Sequence, residues 1–245
     1  NFFILPKEVD FLVVGGGYTG MTAGLFIAKN GKSVVVLDSG KPGFGASTRN
    51  GGICSGQIRL SHKDLCKKYG LDFANEAYSE AVDARNDLVK FCNEERIECK
   101  IQMTGRFTGA MNKIDYEIQS REVDALNKIF GHNAYMVQKK NQQEEISSNL
   151  FSGGMVREEI GGFHPGMFFS GLLEKAEKYG VMVFPQTKVL NISDLDNKKK
   201  LVLTSKGTIA ANKVIIATNA YTGTKLKFGK FLRKRIIPVK SAIIV

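Results

Sequence analysis

Residues 11–20, FLVVGGGYTG, constrain this chain more than any other stretch. Phe11 to Val14 form an apolar run too short for a helix, which reads as a buried strand. Gly15, Gly16 and Gly17 follow at once, and Gly20 completes the spacing G-x-G-x-x-G. The next residues, MTAGLFIAKN, are helical in character and break at Gly31. Strand, glycine turn and helix are the context in which this spacing means a dinucleotide pyrophosphate site. Gly15 then permits the tight turn, Gly17 brings the backbone close to phosphate, and Gly20 lets the helix pack on the strand. Tyr18 and Thr19 fall inside the same turn, at a helix N-terminus whose N–H groups and partial positive charge favour an anion.

The spacing alone is weak evidence, because glycine supplies 26 of 245 residues. The following segment strengthens it. SVVVLD reads as a second β-branched strand ending in Asp38, about 20 residues past the glycines, where an acid accepts hydrogen bonds from a ribose. An ordinary strand-end turn would also suit Asp38, and Ser39 is read with it as a cofactor contact. A nicotinamide-binding domain would enter its next helix here. Instead, residues 41–60, KPGFGASTRNGGICSGQIRL, run on as a loop rich in glycine with no helical period. Such loops persist when a ligand satisfies their backbone groups. Gly45, Ala46 and Ser47 are small enough to approach phosphate or ribityl oxygens, and Gly51 and Gly52 would let main chain lie against a flat ring.

Composition narrows the class. Hydrophobic content of 43% and charged content of 24% are those of a globular protein. No apolar stretch approaches the length of a membrane-spanning helix. The opening NFFILPKEVD lacks the basic leader and cleavage site of a signal peptide, so a cytoplasmic setting is expected. The chain lacks an initiator Met and stops inside an apolar run, SAIIV, so it is expected to be a piece of a longer protein. Cys54, Cys66, Cys92 and Cys99 show no C-x-x-C spacing. With three scattered histidines they predict free thiols and no metal site. The net charge of +11 gathers at Lys198 to Lys200, read as a solvated hairpin turn, and from Lys225 to Arg235. A nucleic-acid surface is the lesser reading of that charge.

GGGYTG with an acid-ended second strand, followed by GASTRNGG, resembles the FAD-dependent amine and amino-acid oxidoreductases of the D-amino acid oxidase superfamily. The resemblance is strongest to the branch containing γ-glutamylputrescine oxidase. It implies FAD as cofactor and places Arg49, Asn50, Gly51 and Gly52 beside the isoalloxazine. The family usually has Glu where this chain has Asp38, which keeps the acceptor chemistry. GGFHP before an amphipathic helix fits the family's return to the nucleotide domain. Val189 matches a valine that contacts adenine through its backbone. Ala217, Thr218 and Asn219 match the strand end that meets the cofactor.

The remaining segments fill in the architecture. Residues 62–96 read as helices, with a buried stripe of Phe73, Ala77, Ala81, Ala84, Leu88, Phe91 and Cys92. IECKI reads as a strand. Asp115 to Phe130 reads as a helix that buries Ile118, Val123, Leu126 and Ile129. VMVF, TKVLNISDL, KKLVLTS and TIAA suggest an antiparallel meander, followed by a separate strand in NKVIIATNAYTG. The expected fold is α/β: an FAD-binding Rossmann-type parallel sheet with a β-meander, plus the start of a mixed-sheet substrate domain. Residues 1–100 would be the first FAD-binding segment and 101–152 a partial substrate or cap part. Residues 153–235 would be the return segment, and 236–245 the start of the substrate-domain sheet.

The resemblance further implies oxidation of a small amine or amino acid. The C–H beside nitrogen would deliver hydride to flavin, and the resulting imine would be hydrolysed, with O₂ or another acceptor reoxidising the cofactor. No side-chain acid–base pair stands out, so no catalytic residue is named. Arg49 would steer a carboxylate or tune the flavin, or else organise its loop. His164 before Pro165 reads as a turn residue before it reads as a base, and Cys54 as a small buried residue before a flavin link. The chain as it stands would bind FAD weakly and turn nothing over. Three other readings remain: a non-catalytic FAD-binding fragment, the flavin module of a tRNA-modifying enzyme, and a nicotinamide dehydrogenase.

Overall fold

A computed structural model describes residues 4–131, 133–196, 198–223, 232 and 235–239. In chain order its first elements are β1 (Glu8–Val14), α1 (Tyr18–Lys29), β2 (Val34–Leu37), β3 (Ile53–Cys54), α2 (His62–Tyr69) and α3 (Leu71–Glu94). Next come β4 (Arg106–Gly109), α4 (Lys113–Phe130), β5 (Ala134–Gln138), β6 (Gly153–Arg157) and β7 (Gly161–Gly162). The last are α5 (Pro165–Lys178), β8 (Met182–Phe184), β9 (Val189–Asp194), β10 (Lys200–Thr204) and β11 (Gly207–Ile216). They divide into two compact units, Asn1–Asn50 with Pro165–Val245, and Gly51–His164.

The first unit is built on a mixed sheet of order β8-β2-β1-β11-β10-β9. Its parallel half needs strands buried on both faces. The sequence supplies them, because Val34 to Leu37 are all buried, as are Leu12, Val13 and Val14. Leu12, Met21, Leu25, Leu37 and Leu172 are the largest fully buried side chains here, each contributing about 1.5–3 kcal/mol by removal from water. Asp10 pins the register at the start of the sheet. Its carboxylate accepts from the Ser33 amide at 2.9 Å and the Ser33 hydroxyl at 2.8 Å, and from Asn212 at 3.2 Å. On α5, Phe168, Phe169, Leu172 and Ala176 are buried, and Phe168 meets the Tyr18 ring edge-on at 5.2 Å.

The second unit holds the three-stranded antiparallel sheet β4-β6-β5, covered by α4 through Val123. It also holds the α2–α3 hairpin, whose Leu65, Ala74 and Tyr78 form a core with Leu126 of α4. Asn112 caps α4 by accepting from the Asp115 amide, and Ser61 caps α2 by accepting from the Asp64 amide. Arg157 is buried in β6 and makes an ion pair with Glu159 at 2.5 Å.

Five expectations are corrected. VMVF is β8, which pairs parallel with β2, so the antiparallel meander is β9-β10-β11. TIAA and NKVII form one strand, β11. Its first part pairs antiparallel with β10 and its later part parallel with β1, since no breaker separates Ala211 from Val214. IECKI is not a strand. Arg96 and Lys100 both have positive φ, which interrupts any ladder there, although Ile97 and Cys99 are buried. On α3 Cys92 is buried as expected and Ala77, Ala81, Leu88 and Phe91 are half-buried, but Phe73 and Ala84 are exposed and Ala74 and Tyr78 are buried in their place. On α4 Val123 and Leu126 are buried, whereas Ile118 and Ile129 are exposed, because one sheet covers only a narrow stripe of the helix. Most of the Lys225–Arg235 cluster, and all of SAIIV, lie outside the described residues. Among the described residues no helix is long and apolar enough to cross a membrane.

Candidate functional site

The glycine turn closes where β1 and β11 end side by side. The Ala217 amide donates to Val14 O and the Gly15 amide to Leu37 O, both at 2.8 Å, so three strand ends meet at one point. Gly15 has φ +108, and a Cβ there would strike the carbonyl of Ala217. Gly20 lies one helical turn into α1, where a Cβ would strike Gly15 O. Only glycine lets the helix sit this close to the turn. Gly17 is the residue before α1, and the Ser47 hydroxyl accepts from the Tyr18 amide at 3.0 Å. The second loop thus caps the helix that the first motif begins.

Asp38 ties β2 to both loops. Its Oδ2 accepts from the Gly16 amide and its Oδ1 from the Gly40 amide, each at 2.8 Å. Its backbone carbonyl accepts from the Thr187 amide at 2.7 Å.

A cleft of about 400 Å³ opens above this junction, within the usual range for small-molecule sites of about 300–1,000 Å³. Of the residues singled out from the sequence, Gly15, Gly17, Asp38, Ser39, Gly45, Ala46, Ser47, Val189, Ala217, Thr218 and Asn219 line it. Asn219 takes φ +47, and its carbonyl accepts from Thr222 Oγ1 at 2.7 Å, turning the chain out of β11.

The other candidates lie elsewhere. Tyr18 points toward α5, its hydroxyl donating to Pro165 O at 3.1 Å. Thr19 and Gly20 belong to the body of α1. The Arg49 guanidinium lies 3.8 Å over the Phe44 ring, and Asn50 Nδ2 donates to the carbonyls of Ala46 and Ser47. Both therefore organise the loop around Phe44. Gly51 and Gly52 belong to the second unit, where Gly52 O accepts from the Phe163 amide at 2.9 Å. His164 is also there, donating its amide to Cys99 O at 2.7 Å. Cys54 is buried in β3, and burial pushes its thiol up.

Sequence reasoning missed Lys41, Phe44, Thr187, Lys188 and Tyr221 as lining residues. Phe44 carried a usable signal: an aromatic between two glycines, and it is 62% exposed. Lys41 and Lys188 put two cations on a cleft that also presents a helix N-terminus, a donor set suited to a diphosphate. A carboxylate at a strand end, a turn that admits no Cβ and two flanking cations fit the ADP half of FAD.

A family model described as "FAD dependent oxidoreductase", DAO, matches residues 10–245. "Probable oxidoreductase OrdL" of Haemophilus influenzae is 28% identical over 97% of this chain and 55% of its own length. "Gamma-glutamylputrescine oxidoreductase" of Escherichia coli is 30% identical over 96% of this chain and 54% of its own. The chain thus spans about half the length of these relatives. The crystal structure of glycine oxidase from Geobacillus kaustophilus superposes with a TM-score of 0.74 at 22% identity, over 88% of this chain and 56% of that one. That likeness shows the fold.

Proposed function

The chain belongs to the DAO family of FAD-dependent oxidoreductases, and from that premise we propose that the whole protein oxidises a primary or secondary amine or an amino acid. The observation that carries this reading is the family match joined to the cleft at the glycine turn. The amine class is supported by the relative named for γ-glutamylputrescine.

In this reading the first unit is the nucleotide-binding part. The N-terminus of α1 takes the pyrophosphate, with Lys41 and Lys188 offsetting its charge. Asp38 accepts from ribose hydroxyls with the lone pairs that Gly16 and Gly40 leave open. Val189 and Thr187 form the adenine end, and Ser39 with Gly45 to Ser47 line the path between. Arg49, held on Phe44, and Asn50 fix the loop that leads to Gly51 and Gly52, which are assigned to the flavin ring.

Bound FAD supplies the acceptor for hydride from the C–H beside the substrate nitrogen. This chain's residues supply position: the strand ends and loops fix one end of the cofactor, so that its other end meets substrate in a constant geometry. The four cysteines are free thiols, in keeping with a reducing, cytoplasmic setting.

The test is a spectral titration of the purified whole protein. A flavin spectrum that bleaches without oxygen when an amine is added supports amine oxidation. A stable yellow protein that resists primary amines, secondary amines and amino acids would make it a binder only.

A further inference from the structure

The α2–α3 hairpin carries a Cys–His–Asn constellation far in sequence from the glycine turn. Cys66 follows His62 by one helical turn on α2, and its Sγ lies 3.6 Å from His62 Nδ1 and 3.8 Å from Nε2. His62 Nε2 lies 2.8 Å from Asn75 Oδ1, on the second turn of α3. An amide oxygen only accepts, so this assignment puts the neutral ring's proton on Nε2 and leaves Nδ1, the slightly nearer nitrogen to the thiol, unprotonated. The ring is also held edge-on to Tyr78, with centroids 5.5 Å apart, and Tyr78 is buried and donates to Leu60 O. Nucleophile, base and a third group that orients the base form the arrangement that activates a side-chain nucleophile, with spacings commonly looser before a reaction partner arrives.

The other three thiols differ in kind. Cys54, Cys92 and Cys99 are all buried, and only Cys66 is half-exposed. Cys92 and Cys99 face each other at 3.8 Å, and burial holds the Cys92 thiol up at about 12. Around Cys66, Lys63, Lys67 and Lys68 are exposed on the same short helix.

We propose that Cys66, with His62 as its base and Asn75 as the positioning residue for that base, is a nucleophilic thiol that reacts with small hydroperoxides to form a sulfenic acid. The S–H proton passes to His62 Nδ1. The sulfur attacks the terminal peroxide oxygen, the O–O bond breaks, and the departing hydroxide or alkoxide takes the proton from Nδ1 and leaves as water or the alcohol. Sulfur loses two electrons and the peroxide gains them. A thiol reductant reverses the product. This site uses neither the FAD cleft nor its substrate, so it stands apart from the reading above.

The test is hydrogen peroxide treatment of the whole, FAD-loaded protein, trapping with dimedone, and site-resolved mass spectrometry. Cys66 is expected to label faster than Cys54, Cys92 and Cys99 by at least about tenfold, and that preference should vanish when the chain is unfolded in urea. His62→Phe keeps an aromatic ring against Tyr78 and is expected to slow Cys66 labelling by at least about tenfold, the low end of general-base assistance. Asn75→Leu should slow it as well, while Asn75→Asp, which keeps the acceptor for Nε2, should not. Labelling of Cys66 no faster than the buried thiols would overturn the proposal. So would equal rates in the parent, Asn75→Leu and Asn75→Asp proteins, which decide the matter should His62→Phe not fold.

Discussion

The Asp38 carboxylate accepts from the Gly16 amide at 2.8 Å, so the end of β2 is bonded directly to the glycine turn at the end of β1. Its other oxygen holds the Gly40 amide at the same distance. The acid therefore builds the turn as well as facing the cleft. Asp38→Ala leaves two backbone N–H groups without this acceptor, at a cost of about 1–3 kcal/mol each where water does not replace it. Asp38→Asn turns an amide NH₂ toward one of them. Both variants are expected to bind FAD more weakly and to melt at lower temperature, measured by equilibrium dialysis and thermal unfolding. Unchanged affinity in both would remove Asp38 from the site.

Gly20 and Gly31 make a matched pair. Gly20→Ala places a methyl group against Gly15 O, and the helix must move off the turn. Gly31 has φ +71, but no atom lies within 4 Å of a Cβ there, so Gly31→Ala meets only the left-handed backbone cost of about 1–2 kcal/mol. Gly20→Ala should purify without flavin, whereas Gly31→Ala should stay yellow with a modestly lowered melting temperature.

In the second unit the Arg157–Glu159 pair tests how a buried charge is held. Arg157 is 3% exposed, and both its Nε and Nη2 reach Glu159 Oε1. Glu159→Leu leaves the guanidinium buried without its partner and is expected to destabilise by about 3–5 kcal/mol in urea unfolding. Adding Arg157→Met should recover much of that loss. A double variant as unstable as the single would show that packing, rather than charge, holds this corner.

Acid should loosen the sheet at Asp10. Hydrogen bonds from the Ser33 hydroxyl, then the Ser33 amide, hold its carboxyl below the ordinary value of 3.8. A carboxyl lowered in the folded state contributes stability that is fully present above 3.8 and is lost as pH falls through its depressed value. Below 3.8 the parent protein should therefore lose stability more steeply than Asp10→Asn, followed by circular dichroism from pH 5 to about pH 2. Parallel curves for the two proteins would contradict this.

Much of the first unit was legible because its signals are local. A short β-branched run with no polar residue, VVVL, reads as a strand buried on both faces, and Gly15 and Gly20 mark the turn before any contact is known. The loop residues Gly45 to Ser47 were legible as small residues that line the cleft, but nothing local signals that the Ser47 hydroxyl also caps α1. What escaped the sequence was set by partners distant in the chain. β8 joins the parallel strands because it meets β2, which VMVF itself does not encode. Phe73 and Tyr78 are both apolar enough to be core, and only the α2 packing decides that Tyr78 is inside. Lys41 and Lys188 reach one cleft from the two separate segments of the first unit's sequence, and no local pattern joins them.

As proposed above, the whole protein uses FAD to oxidise a carbon beside nitrogen. The most direct measurement is the absorbance of the purified whole protein near 450 nm, roughly where oxidised flavin absorbs, during anaerobic titration with amines and amino acids. A flavin band is expected that disappears on addition of a primary or secondary amine or an amino acid and returns with oxygen or an artificial acceptor. A protein without that band, or one whose band no amine or amino acid bleaches, would contradict it.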